Sequence, residues 1–154
     1  MIMIGLVVIA VTSASRRKFM SSRPGIENTL SRYGLGYDDH HPEMIVASFT
    51  KDAVLTMKIA DGDLIGPFDG IDAIMELMNG SAHSQSDQRR HLTTNVLIDD
   101  VDDSHAKVIA YLTIISVADG KLTVLSTGKY EDEFAKVDGS WLIAKRHIAL
   151  DLPY

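Results

Sequence analysis

The sequence predicts an α+β domain: a curved antiparallel sheet wrapped around three helices from the N-terminal half, forming a cone-shaped α+β barrel. Three observations predict it. Helical periodicity is concentrated in the first half of the chain, while the second half reads as successive long strands. Those strands are joined by short Asp/Gly-rich connections, which are hairpin signals. The 154 residues, 45% hydrophobic and 23% charged, suit one globular domain with a substantial core.

Each element has its own signal. Ser22 is placed as an N-cap and Pro24 near the first helical position, with Ile26, Leu30, Tyr33 and Tyr37 following on one helical face. His41, Pro42 and Glu43 restart a second short helix. Residues 53–59 read as a strand, 66–70 as a loop and 71–78 as a third helix ending at Asn79 and Gly80. Strands are expected over 90–99, 106–117, 122–137 and 141–150, paired as an antiparallel meander. A sheet curled around helices leaves an open end, and small-molecule sites favour such concave apolar pockets.

Residues 1–19 stand apart from a domain over 20–154. Met1 to Val11 is nearly all apolar but shorter than the roughly 20 residues a membrane span needs. It lacks the basic n-region of an export signal, its basic cluster (Arg16, Arg17, Lys18) lying on the other side. Three readings stay open: an extension upstream of a start at Met20, a strand or helix packed on the domain, or an export signal.

Composition removes several classes of function. A formal charge of −6 with only short basic clusters argues against nucleic acid as a partner. With no cysteine, disulfides, thiolate metal sites and cysteine nucleophiles are excluded. No membrane association and a cytoplasmic location are expected. Asp38, Asp39, His40 and His41 have the composition of a metal cluster, but consecutive residues at a helix end cannot all face one ion. No metal and no cofactor are expected.

Several motifs in order carry a family resemblance. They are Tyr37-Asp38-Asp39-His40 followed by Phe49-Thr50-Lys51-Asp52-Ala53, then Gly66-Pro67-Phe68-Asp69-Gly70-Ile71-Asp72-Ala73-Ile74, then Arg90-His91-Leu92-Thr93-Thr94-Asn95, and finally Gly128-Lys129-Tyr130 through Trp141. The chain resembles the SnoaL-like branch of the nuclear transport factor 2-like superfamily, and is similar within it to scytalone dehydratase and hexachlorocyclohexane dehydrochlorinase. The resemblance implies a cavity dyad of Asp38 and His91, a Tyr37 hydroxyl directed at substrate oxygen, and a homodimer formed through the exposed sheet face. The second cavity histidine of scytalone dehydratase has no counterpart in residues 125–129.

The dyad is also chemically sensible by itself. Neutral imidazole accepts a proton near pH 7, and a carboxylate on its other nitrogen fixes the tautomer. Such a pair suits a cofactor-independent lyase or isomerase that dehydrates, eliminates or moves a double bond in a small hydrophobic oxygenated metabolite. The alternative is a non-catalytic small-molecule-binding or assembly module of the same fold, with His91 structural. Tyr33, Tyr111 and Tyr130 are further candidate substrate contacts, with core packing as their alternative. Asn95 shares an alternating face with His91, and His147 follows Trp141 and Ile143, so both are candidates to enter the cavity; the alternatives are solvent exposure for Asn95 and an edge or surface position beside Lys145 and Arg146 for His147.

Overall fold

The computed structural model describes residues 13–99 and 101–154, with side chains from Ser22 onward. The apolar run of residues 1–11 and the first residue of the acidic turn at 100–104 lie outside the described residues.

The N-terminal half supplies α1 (Ser13–Asp38), α2 (Pro42–Val46) and α3 (Gly70–His83), with β1 (Phe49–Ile59) and β2 (Ile65–Asp69) between the last two. β3 (Gln88–Asp99), β4 (His105–Ala118), β5 (Lys121–Val137) and β6 (Ser140–Leu150) follow. They form one six-stranded sheet in the order β2-β1-β6-β5-β4-β3. The meander from β3 to β6 is antiparallel as expected.

Four local expectations are corrected. α1 begins at Ser13, so Pro24 is internal and Ser22 is not its N-cap. Proline removes the hydrogen bond to the residue four before it and crowds that carbonyl, and packing of the following turns on the sheet sustains the helix. Residues 66–70, expected as a loop, contribute to edge strand β2, where a proline is tolerated. α3 continues through Asn79 and Gly80 to His83. Finally, β1 pairs with β6 in parallel, because the α3-containing crossover returns the chain to the far edge of the sheet.

The predicted face of α1 is the buried one: Ile26, Leu30, Tyr33 and Tyr37 are all within 7% of full burial. Gly25 lets α1 approach β6, since a Cβ there would sit 2.8 Å from Trp141 Cδ1. Thr29 Oγ1 then donates to the Trp141 carbonyl at 2.6 Å. Even-numbered residues of β4, Val108 to Ile114, point into the same core, while Ile109 and Tyr111 point out. Each fully buried large apolar side chain contributes about 1.5–3 kcal/mol. Register shifts in the β1–β2, β3–β4, β4–β5 and β5–β6 pairs bend the sheet around α1. A partly open cavity is left between the sheet, α1 and α3.

Candidate functional site

The last turn of α1 delivers Asp38 and the first half of β3 delivers His91. Asp38 Oδ1 lies 2.5 Å from His91 Nδ1, and Asp38 Oδ2 accepts the His91 backbone N–H at 2.8 Å. The two side chains are 4% and 7% exposed. One carboxylate therefore holds both the ring and the backbone of His91. An ionised carboxylate can only accept, so neutral His91 carries its proton on Nδ1 and keeps a lone pair on Nε2. The junction is secured on both sides. Gln88 Nε2 donates to the Asp38 carbonyl at 2.9 Å, and Arg90 Nη1 donates to the Asp39 carboxylate at 3.0 Å.

His91 lines a cavity of about 250 Å³, together with Tyr33, Tyr37 and Tyr130. The Tyr37 ring meets the His91 ring edge-on, with centroids 4.8 Å apart, and its hydroxyl accepts from Gln85 Nε2 at 2.9 Å. Tyr33 donates to Met78 Sδ at 3.7 Å and stands edge-on to Tyr130. Among the described residues, the Tyr130 hydroxyl makes no hydrogen bond. Burial raises the pKa of Tyr33 above the ordinary phenol value, with Arg146 opposing; burial also raises Tyr130, and Tyr33 adds to that shift. Both are neutral phenols at pH 7, able to donate to a substrate oxygen. Met57, Leu112, Ile114 and Ile148 add an apolar stretch to the wall.

Behind the tyrosines lies a buried ion pair. Arg146 donates through Nε and Nη2 to both Asp132 oxygens, at 2.8 and 2.7 Å. Its guanidinium lies 3.9 Å from the Tyr130 ring centroid and 4.3 Å from that of Tyr33. Burial opposes the charge, but Asp132 more than compensates and holds the Arg146 pKa above its ordinary value. The pair fixes the cavity tyrosines from the core side.

Three sequence candidates point elsewhere. Asn95 sits at a bulge in β3 with φ 52° and is exposed, because the irregularity between Thr94 and Leu97 breaks the alternation that placed it beside His91. Tyr111 faces outward and is 50% exposed. His147 lies on the outer face beside Thr56, whose Oγ1 is 2.8 Å from His147 Nδ1. The β6 register shift opposite Glu133 and Phe134 reverses the phase of the strand, so Ile143 and Arg146 point inward and His147 outward.

The structure adds polar wall residues to the sequence candidates: Ser81 at the end of α3, Ser84 and Gln85 just after it, Arg89 in β3, and Tyr154. Arg89 was accessible to strand alternation, since it precedes His91 by two. Tyr154 was not, because residues 151–154 form no regular element. Among the described residues, no group of three or more His, Asp or Glu side chains is placed to hold a metal, and no helix is long and apolar enough to cross a membrane. Asp39 and His41 instead engage Arg90 and Glu43.

Comparison with known proteins now places the chain. Residues 19–147 match the SnoaL-like domain family. The chain belongs to that family. Among solved structures, this SnoaL-like domain is similar to an NTF2-like protein with a cystatin-like fold from Novosphingobium aromaticivorans, at 18% identity and TM-score 0.75, over 95% of this chain and 92% of that one. It is similar to a candidate scytalone dehydratase from the same organism, at 23% identity and TM-score 0.71, over 88% and 87% of the two chains. A third is LinA, at 20% identity and TM-score 0.73, over 90% of each. These identities speak to fold: the domain has the NTF2-like, cystatin-like architecture of a six-stranded curved sheet and three helices. No functionally curated protein matches the chain in sequence.

Proposed function

We propose that this SnoaL-like domain is a cofactor-independent lyase or isomerase acting on a small hydrophobic oxygenated molecule, with His91 as general base and Asp38 as the group that orients it. The observation carrying this reading is the double grip of Asp38 on His91 at the wall of a cavity with an apolar stretch. His91 Nε2 takes a proton from a carbon next to a carbonyl, and the C–H electron pair moves into the carbonyl as an enolate. Tyr37 and Tyr130 donate to the oxygen on which that charge develops. In elimination, the electron pair then forms C=C, hydroxide leaves, and the His91 proton completes a water molecule. In isomerisation, the same proton returns to a different carbon. Asp38 stabilises the imidazolium between the two transfers. Similarity of fold to the candidate scytalone dehydratase agrees with this chemistry.

The test is a panel of β-hydroxy ketones on apolar rings, followed by mass spectrometry for loss of water or a shifted double bond. Turnover by the wild type that drops on the order of 10²–10⁴-fold in His91→Asn supports the reading. Turnover that survives the substitution overturns it. The same proposal includes a homodimer, with a second copy covering the outer sheet face where Leu92, Ile109 and Tyr111 are 44–50% exposed.

A further inference from the structure

We infer that Arg89 forms an anion-recognition subsite beside the proposed base, so that the substrate is an apolar molecule bearing one acidic oxygen group, a carboxylate. The inference rests on the proposed function for the identity of the reacting end, and on the following geometry for the other.

Arg89 and His91 are successive inward residues of β3, about 6.6 Å apart along the strand. The Arg89 side chain is 16% exposed, so a full charge stands largely out of water in a wall with an apolar stretch. A charge in that position is stable only with good partners. Its protein partner is a poor match. Arg89 Nε reaches the two Asp87 oxygens only at 3.3 and 3.5 Å. Charge-assisted bonds are ordinarily about 2.7–2.9 Å.

Arg146 shows how this protein pairs an arginine with a carboxylate at close range, through two bonds of 2.8 and 2.7 Å to Asp132. Arg89 has no such fork-to-fork pairing. One face of its guanidinium lies over the Tyr154 ring, 4.9 Å from the centroid, and the guanidinium also engages the neutral Tyr154 hydroxyl, which orients it without neutralising its charge. Gln85, Ser81 and Ser84 share the same cavity and can supply neutral donors to a bound oxygen. The planar fork of Arg89 matches a carboxylate in shape as well as sign.

Two unreactive aromatic probes test this, naphthoate and its neutral isostere naphthamide, with dissociation constants measured by calorimetry. Wild type is expected to prefer naphthoate by about tenfold or more, the effect of one charge-assisted pair. Arg89→Gln should bring the two probes within about twofold while leaving naphthamide binding intact. Arg89→Lys, which keeps the charge without the fork, should fall between. Failure of wild type to bind naphthoate at millimolar concentration, equal affinity for both probes, or a naphthoate preference surviving in Arg89→Gln overturns the subsite. Neither probe reacts, so failure of His91 as a base leaves this result unchanged and is read separately from turnover.

Discussion

His91 is defined by what Asp38 does to it. Because the carboxylate takes both the backbone N–H and the ring Nδ1, the ring is oriented by a group that is itself tied to the strand carrying it. Asp38→Asn would replace one acceptor oxygen by an NH₂ donor and disrupt that double acceptance. The expected result is a loss of proton abstraction on the order of 10²-fold or more with the fold retained, checked by initial rates alongside circular dichroism. Asp87 offers a pH-dependent contrast. The Ser116 hydroxyl holds its carboxyl below the ordinary range, with burial opposing and Arg89 assisting. A depressed carboxylate stabilises the fold above its unfolded pKa, near 3.9, and that contribution is lost as pH falls through the folded value. Asp87→Asn should therefore cost about 0.5–1 kcal/mol at pH 7, with the gap to wild type narrowing below pH ~3.9. Urea unfolding at two pH values measures it; an equal gap at both contradicts it.

Among the elements, α1 and β3 carry the site and the antiparallel meander holds β3 in register. Much of this was legible. The steps of four, three and four from Ile26 to Tyr37 named the buried face of α1, and the Asp/Gly turns marked the hairpins. Asp38 and His91, 53 positions apart, came together only through the resemblance, since no local spacing joins them. Asn95 and His147 were misplaced for one shared reason: a bulge shifts the phase of alternation, and nothing in a single sequence announces a bulge. Close approach of strands is equally hidden. Gly128 is required because a Cβ there would overlap the Ala149 carbonyl oxygen on β6. Gly128→Ala should destabilise the domain by about 3 kcal/mol, seen as a lowered thermal midpoint. A midpoint within a degree of wild type would show that the β5–β6 pair absorbs the methyl group.

At the scale of the molecule, the proposed function assigns the cone the task of keeping His91 away from water beside apolar substrate atoms. Its floor depends on the Asp132–Arg146 pair, neither of whose side chains is exposed. Asp132→Asn leaves a buried, uncompensated guanidinium and should cost about 3–5 kcal/mol in chemical denaturation. Replacing both residues by methionine should recover much of that loss, and failure to recover would assign the pair a role beyond charge neutralisation. On the outside, Tyr111→Lys sets a charge on the proposed dimer face and should shift the mass by light scattering from two chains to one; unchanged mass removes that face from the interface. The dry base itself can be tested without the natural substrate. Nitrobenzisoxazole opens its ring when a base removes its one acidic C–H proton, and the phenolate formed is followed by absorbance. Wild type is expected to open the ring saturably, with inhibition by naphthamide and a loss of at least about 10²-fold in His91→Asn. Equal rates for wild type and His91→Asn would contradict it.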